Sequence, residues 1–391
     1  MIPAAPKLRF SEFKDSWKPG HAGDAFKNSR AKGAVGLPIY SVTMDRGLVR
    51  RDSMDRHMAA DAADGQNLRA QPGDVVYNMM RMWQGAVGLA PEECMVSPAY
   101  VVLSPKKHTS PQFFDQWFKG KRMLYLLGAY SHGITSDRLR LYADDFARIP
   151  LHLPSLPEQQ KIAAFLGVVD TKLAALATKQ AALGQFKAGL MQKLFSQQLR
   201  FTRDDGTAFP DWQERRLGDV VRVFSGGTPS ASVRAYYSGE IPFIKSGEIA
   251  ATHTAQFINP LGFKSSSAKM VEKGDILYAL YGANSGEVAI SKISGAINQA
   301  VMCIRTKQVR EYIFQLLAFN RARICAAYLQ GGQGNLSADI VKSLKFKFPD
   351  LDEQQKIADS LAAMDAKIQA IADQVAKLQT FKKGLLQQMF V

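Results

Sequence analysis

Cysteine is scarce: Cys94, Cys303 and Cys325 are the only three in 391 residues, and none stands in a CxxC spacing. That excludes a disulfide scaffold or a zinc ribbon and implies a reducing compartment. Long apolar runs are also missing. No stretch approaches the ~18 apolar residues of a membrane span, and the opening MIPAAPKLRF has no apolar signal core. A cytoplasmic location is the expectation. The six histidines (His21, His57, His108, His132, His152, His253) are scattered without ligand spacing, so no metal site is expected. No GxxxxGK[ST] phosphate loop occurs, and Gly331-Gly332-Gln333-Gly334 lacks the lysine and the strand-to-helix context. A Gly-rich loop with a downstream Asn/Asp-Pro-Pro-aromatic, the mark of an adenosylmethionine methyltransferase, is absent too; Asn259-Pro260-Leu261 fails at its third position.

One nuclease-like pattern needs a physical answer. Pro349-Asp350 followed by Asp365-Ala366-Lys367 resembles a PD…(D/E)xK site. That site needs the acid and the lysine on one face of a strand, whereas on a helix residues i and i+2 point to nearly opposite sides. Asp365 and Lys367 lie in a helical pattern, so no catalytic residue is assigned and the chain is read as non-enzymatic.

What the chain does have is a repeat. Pro154 to Phe195 recurs as Pro349 to Phe390 at a constant offset of 195 (349 − 154), with 21 of the 42 positions identical. In the second copy Ile357, Leu361, Met364, Ile368, Ile371, Val375, Leu378, Lys382, Leu385 and Met389 alternate spacings of 4 and 3, a heptad seam. The first copy keeps the frame at Ile162, Leu166, Val169, Leu173, Leu176, Leu183, Leu190 and Leu194, with Gln180 and Lys187 as polar members. Each copy predicts a helix of roughly 55 Å at 1.5 Å per residue. A narrow apolar stripe of that length needs a partner, and the chain supplies two. They are expected to pair antiparallel within one molecule, the alternative being a homodimeric coiled coil for each copy separately. Gly189 and Gly384, unfavourable inside a helix, suggest close approach of one helix to another.

The flanking segments repeat more loosely. Leu8-Arg9-Phe10, Trp17 and Gly23-Asp24 are echoed by Leu199-Arg200-Phe201, Trp212 and Gly218-Asp219, and Gly73-Asp74 by Gly274-Asp275. Short β-branched and aromatic runs broken by Gly, Pro, Asn and Ser fill both, with helices near Pro111 to Leu127 and Val309 to Leu329. The reading is an α+β chain, with recognition-type globules at 1–153 and 197–348 alternating with long helices at 154–196 and 349–391 around a pseudo-two-fold axis. Formal net charge is +15, of which +6 falls in 1–153 (21 basic, 15 acidic) and +6 in 196–351 (19 and 13). A basic balance in both globules fits a polyanion partner.

Polar loop clusters give that partner a grip. Tyr77 to Gln84 aligns with Tyr278 to Ser285, and Ser131 to Ser136 has a counterpart in Gln330 to Ser337. Arg reads guanine, Asn and Gln read adenine, and Ser or Thr serve either, so such loops suit a major groove. The candidate DNA-facing residues are Ser41, Thr43, Asn78, Arg81, Trp83, Gln84, Ser131 and His132 in the first globule. In the second they are Thr228, Ser230, Lys245, Ser246, Tyr281, Asn284, Ser285, Gln333 and Asn335. Tyr77, Trp83 and Tyr278 read equally as core aromatics.

The whole order of parts resembles the specificity subunit of a type I restriction-modification system. The resemblance is carried by the Pro-x-Leu-x-Glu-Gln-Gln-Lys-Ile entries at 154 and 349, the Phe-Lys-x-Gly-Leu-x-Gln helix ends at 186 and 381, Gly226-Gly227-Thr228-Pro229-Ser230, and Gln299. It implies two target-recognition domains that each read one half of an asymmetric bipartite DNA target, with no catalysis by this chain. It also implies two methyltransferase subunits, which would carry adenosylmethionine, and two restriction subunits, which would use ATP and Mg. Half-site spacing would be set by the helices, near one DNA turn. The helix faces bearing Gln159, Lys161, Lys172, Gln354, Lys356 and Lys367 are the candidate docking surface for the methyltransferase subunits. The alternative is a DNA-associated coiled-coil scaffold without sequence specificity.

Overall fold

The computed structural model describes residues 5–54, 66–328 and 335–390. Two compact units emerge, Met1–Thr178 with Ala372–Val391 and Lys179–Ile371. The division therefore falls inside both long helices rather than at their ends, so each globule carries a segment of each helix.

The first globule runs β1 (Lys18–His21), α1 (Ala22–Ala25), β2 (Phe26–Ser29), β3 (Ile39–Thr43), β4 (Gly47–Arg50), β5 (Leu68–Ala70), β6 (Val75–Asn78), β7 (Val87–Leu89), β8 (Cys94–Val96) and β9 (Tyr100–Pro105). It continues with α2 (Pro111–Trp117), α3 (Lys121–Ala129), α4 (Ala143–Ala147) and β10 (Pro150–Leu153), and leads into α5 (Leu156–Phe195). One sheet has the order β2-β9-β6-β7 and a second β4-β3-β8-β5, while β1 pairs with β10. Successive residues of a strand face opposite sides, and here both sides are used. Val75, Tyr77, Val101 and Leu103 face α2, α3 and the long helices. Val76 and Val102 instead face the second sheet, against Tyr40, Val42 and Val96. The expected single helix from Pro111 is two helices. Ser110 caps the first, accepting from Phe113 N at 3.4 Å, and Gly120 starts the second.

The second globule repeats this plan with different residues. Its elements are β11 (Gln213–Arg216), α6 (Leu217–Val220), β12 (Val221–Ser225), β13 (Ile241–Ile244), β14 (Phe257–Ile258), α7 (Pro260–Lys264), β15 (Lys269–Val271), β16 (Ile276–Ala279), β17 (Val288–Ile290), β18 (Gly295–Ile297) and β19 (Val301–Thr306). Then come α8 (Arg310–Tyr328), α9 (Ala338–Ser343), β20 (Lys345–Phe348) and α10 (Leu351–Met389). The sheets are β12-β19-β16-β17 and β14-β13-β18-β15, with β11 on β20. Ile276, Tyr278, Met302 and Ile304 face α8 and the long helices, and Leu277, Cys303 and Val301 face the other sheet. Tyr77 and Tyr278 are thus core residues, fully buried.

Within each unit the two helix segments are antiparallel. In the first, Ile162, Leu166 and Val169 of α5 share a core with Leu385 and Met389 of α10. Lys382 reaches Asp170 at 2.5 Å, and Phe390 packs on Phe113 with 5.2 Å between ring centroids. In the second, Met191 and Leu194 share a core with Ile357 and Leu361, and Lys187 reaches Asp365 at 2.7 Å. The lysines that interrupt both seams are therefore ion-paired across them. Asp350 caps α10 by accepting from Glu353 N at 2.9 Å, which gives both acids of the nuclease-like pattern structural roles. Gly189 and Gly384 do not mark close approach: a Cβ on either would meet nothing within 4 Å.

The Glu-Gln-Gln-Lys entry of each helix bolts a globule to it. Glu158 is buried and accepts from Arg9 Nε at 2.6 Å, Arg9 Nη2 at 2.8 Å and Trp17 Nε1 at 3.2 Å. Glu353 does the same with Arg200 at 3.1 and 2.8 Å and Trp212 at 2.9 Å. A hydrogen-bonded carboxylate holds each guanidinium charged, raising the pKa of Arg9 and Arg200.

Candidate nucleic-acid interface

In the first unit a groove of about 670 Å³ opens where β2 ends and β9 begins. Arg30 and Lys32 follow β2, Pro98 and Tyr100 lead β9, and Arg148 with Asp144 and Asp145 closes the wall from α4. Arg30 and Lys32 are exposed, so their charges stay solvated until a ligand displaces the water. Beside β6, a smaller cavity of about 330 Å³ is lined by Met80, Arg81, Trp83, Gln84 and Asp137. The loop around it is braced by its own side chains. Asn78 Oδ1 accepts from Met80 N at 3.0 Å, Trp83 Nε1 donates to Met80 O at 3.2 Å, and Arg81 donates to Gln84 Oε1 at 3.2 Å. Asn78, Arg81, Trp83 and Gln84 are thus brought together, with Arg81 and Gln84 exposed.

The equivalent place in the second unit, after β12 and before β19, holds a groove of about 550 Å³. It is lined by Thr228, Arg234, Tyr237, Lys245, Gln256, Asn298 and Gln299, among others. Its shape depends on Gly226 and Gly227. A Cβ there would lie 1.8 Å from Ile297 O and 1.9 Å from Ser267 Oγ, so only glycine lets this loop lie against its neighbours. Thr228 Oγ1 donates to Gln299 Oε1. Burial raises the Tyr281 pKa, and a hydrogen bond with the same Gln299 acts the other way. Ser230 is exposed and shares a 2.8 Å hydrogen bond with Ser232. Ser246 and Asn284 are half-buried and do not line the groove, and Asn335 is exposed just before α9. Gln333 lies outside the described residues.

Several candidates are spent on structure instead. Ser131 is buried and donates to Leu127 O at 2.6 Å, capping the end of α3. Ser41 is buried and accepts from Arg51 Nε at 3.1 Å. Thr43 closes the β3–β4 turn, donating to Gly47 O at 3.1 Å. Ser285 is buried, donates to Gly282 O at 2.8 Å, and lends its carbonyl to Arg321 and Cys325 of α8. His132 is exposed but sits 3.3 Å from Asp145. Small hydroxyl residues in Gly-rich loops brace turns as readily as they read bases, and sequence pattern alone does not separate the two.

The docking candidates divide in the same way. Gln159 and Gln354 are buried, and both bind inward. Gln159 Oε1 accepts from Ser110 N at 2.9 Å and its Nε2 donates to Pro154 O at 2.9 Å. Gln354 repeats this with Val309 N at 3.2 Å and Pro349 O at 3.0 Å. Neither amide has a face left for a partner. Lys161 pairs with Glu12 over the Phe10 ring, and Lys356 with Asp204 at 2.6 Å. Lys172 and Lys367 are exposed. Reasoning from sequence passed over Arg30, Lys32, Arg148, Arg234, Gln256 and Asn298. Of these, only Arg30 and Lys32 carried a signal, in the loop after β2, where Arg30-Ala31-Lys32 takes the place of Gly226-Gly227. Among the described residues no group of three His, Cys, Asp or Glu could hold a metal, and no helix is long and apolar enough to cross a membrane.

The chain belongs to the type I restriction modification DNA specificity domain family, whose model it matches twice, over residues 20–185 and 210–380. Each match covers one globule and most of the helix that follows it. The chain is 25% identical over 250 residues to the putative type I restriction enzyme MjaX specificity subunit of Methanocaldococcus jannaschii, covering 61% of this chain and 57% of that one. To the EcoR124I/EcoR124II specificity subunit of Escherichia coli it is 23% identical over 253 residues, 61% of each. These alignments span little more than half the length of such relatives. The fold is similar throughout to a crystal structure of a type I restriction-modification S subunit from M. genitalium, with TM-score 0.62, 15% identity and 99% of both chains covered.

Proposed function

We propose that this chain is the sequence-specific DNA-binding specificity subunit of a type I restriction-modification complex and catalyses nothing itself. The observation that carries the reading is the pair of grooves. Two family-matched segments fold alike and open a groove at the same strand ends, yet line it differently: Arg30, Lys32 and Arg148 in one, Arg234, Lys245, Gln256 and Asn298 in the other. Like frames with unlike linings suit two different half-sites of one bipartite, asymmetric target. A scaffold without sequence specificity would give no reason for that divergence.

In this reading the exposed cations hold phosphates and the amides and hydroxyls read base edges. The long helices set the distance between half-sites. They also offer Lys172 and Lys367 to two methyltransferase subunits, which bring adenosylmethionine and act on an adenine flipped out of the duplex. Restriction subunits using ATP and Mg would complete the assembly. The test is duplex binding by the complex of this chain with its methyltransferase subunits across a salt series. Replacing Arg30 and Lys32 by alanine should lower the log–log salt slope by about 2 and weaken binding to all sequences. An unchanged slope and affinity would remove this groove from the interface.

A further inference from the structure

One polar arrangement occurs in both units and no reading above accounts for it. In the first, Asp170 of α5 receives Lys382 of α10 at 2.5 Å and Gln116 Nε2 of α2 at 2.8 Å. In the second, Asp365 of α10 receives Lys187 of α5 at 2.7 Å and Gln315 Nε2 of α8 at 2.8 Å. Each triad thus joins three elements: the two long helices and the recognition-domain helix packed on them. The lysine side chains are only 13% and 17% exposed, and the glutamines 6% and 3%.

As a means of stability the arrangement is poor. The amide oxygen of each glutamine, Gln116 Oε1 and Gln315 Oε1, is buried without a hydrogen-bond partner among the described residues. A flip would satisfy nothing, because it would turn that oxygen toward the carboxylate. A half-satisfied polar group is worse than an apolar side chain of the same shape, and half-buried ion pairs are commonly replaced by apolar residues without loss. What a directional triad supplies and an apolar seam does not is a unique geometry, as a polar residue in a heptad seam does. A seven-residue slide would set Lys382 against Ala163 or Ala177 (170 − 7 or 170 + 7) and Lys187 against Ala358 or Ala372 (365 − 7 or 365 + 7), none of them an acid.

We propose that the two Lys–Asp–Gln triads are positioning devices: each holds its recognition domain at one orientation on its helix segments, and together they sharpen the half-site spacing the chain accepts. The second clause rests on the DNA-specificity reading above; the first does not.

The test uses the full chain with its methyltransferase subunits and compares three forms. They are the native protein, an apolar form (Gln116→Leu, Asp170→Ala and Lys382→Met with Gln315→Leu, Asp365→Ala and Lys187→Met), and a conservative form (K187R/K382R). Spin labels at exposed Tyr125 on α3 and Ala174 on α5, both in the first unit, report orientation by pulsed dipolar spectroscopy, with Cys325 replaced by serine. The apolar form should melt no lower than the native protein yet give a broadened distance distribution, and the arginine form should keep a narrow one. Against target duplexes with the gap varied base pair by base pair, the apolar form should lose at least about threefold of its discrimination between best and next gap. An unbroadened distribution in the apolar form overturns the proposal whatever the DNA result. Broadening with gap discrimination intact overturns its second clause. If the native protein prefers no gapped target at all, the DNA-specificity reading fails, and the label distances alone decide the first clause.

Discussion

Removing Arg9 while leaving Glu158 in place is the sharpest probe of how the first globule is held to its helix. Glu158 is 1% exposed and its carboxylate has three donors, two from Arg9 and one from Trp17. In Arg9→Met only the indole remains, and a buried carboxylate stands without a cation. Breaking a buried pair from one side costs about 3–5 kcal/mol, because the desolvation of the remaining charge is no longer offset. For a unit of this size each kcal/mol moves the melting temperature by about 2–4 °C, so the first unit should melt about 6–20 °C lower. The double variant Arg9→Met/Glu158→Gln removes the stranded charge and should recover most of the loss. Melting is followed by calorimetry, since two units need not unfold in one step. A single-variant shift under about 2 °C, or a double variant no better than the single, would refute the reasoning.

Four further outcomes follow from the same structure. Gly384→Ala should raise stability by about 0.8–1 kcal/mol in chemical denaturation, because the helix gains propensity and the new methyl meets no described atom within 4 Å; a loss would contradict the open surroundings of that position. Burial pushes the thiols of Cys94 and Cys303 up to about 11 and about 12, so both stay protonated at pH 8 and should resist alkylation in the native protein by mass spectrometry. Since those folded values lie above the ordinary 9.0, the two thiols leave stability undiminished below about pH 9, and stability should fall as pH rises from there through about 11 and about 12. Inserting one heptad in α5 after Thr178 and one in α10 after Ile371 lengthens each helix by about 10.5 Å. The preferred gap should then grow by about 3 base pairs, with the half-sites unchanged; an unaltered gap would separate spacing from helix length.

The architecture was legible because it repeats. A 42-residue duplication with a heptad seam announces two paired helices, and the echoed Trp17/Trp212 and Gly73/Gly274 positions announce like globules. The role of the Glu-Gln-Gln-Lys motif was not legible. Its glutamines look like surface residues in the string, yet Gln159 and Gln354 are buried because each satisfies a backbone amide of the globule, Ser110 N or Val309 N, 49 and 45 residues away in the chain. Lys187 and Lys382 looked like flaws in a seam until the facing aspartates came into view, which a single helix's periodicity cannot show. The grooves escaped for another reason. Arg30, Lys32 and Arg148 are brought together by β2 and α4, more than a hundred residues apart, and an isolated arginine in a loop carries no pattern.

The central claim is that this chain chooses a bipartite DNA target for a methyltransferase that it does not itself contain. Single-molecule methylation sequencing of DNA from cells expressing the chain with its cognate methyltransferase subunit tests it directly. The account predicts a methylated adenine in each half of one gapped, asymmetric motif, with both marks lost when this chain is omitted. No new methylation, in cells where the complex is shown to form, would contradict it.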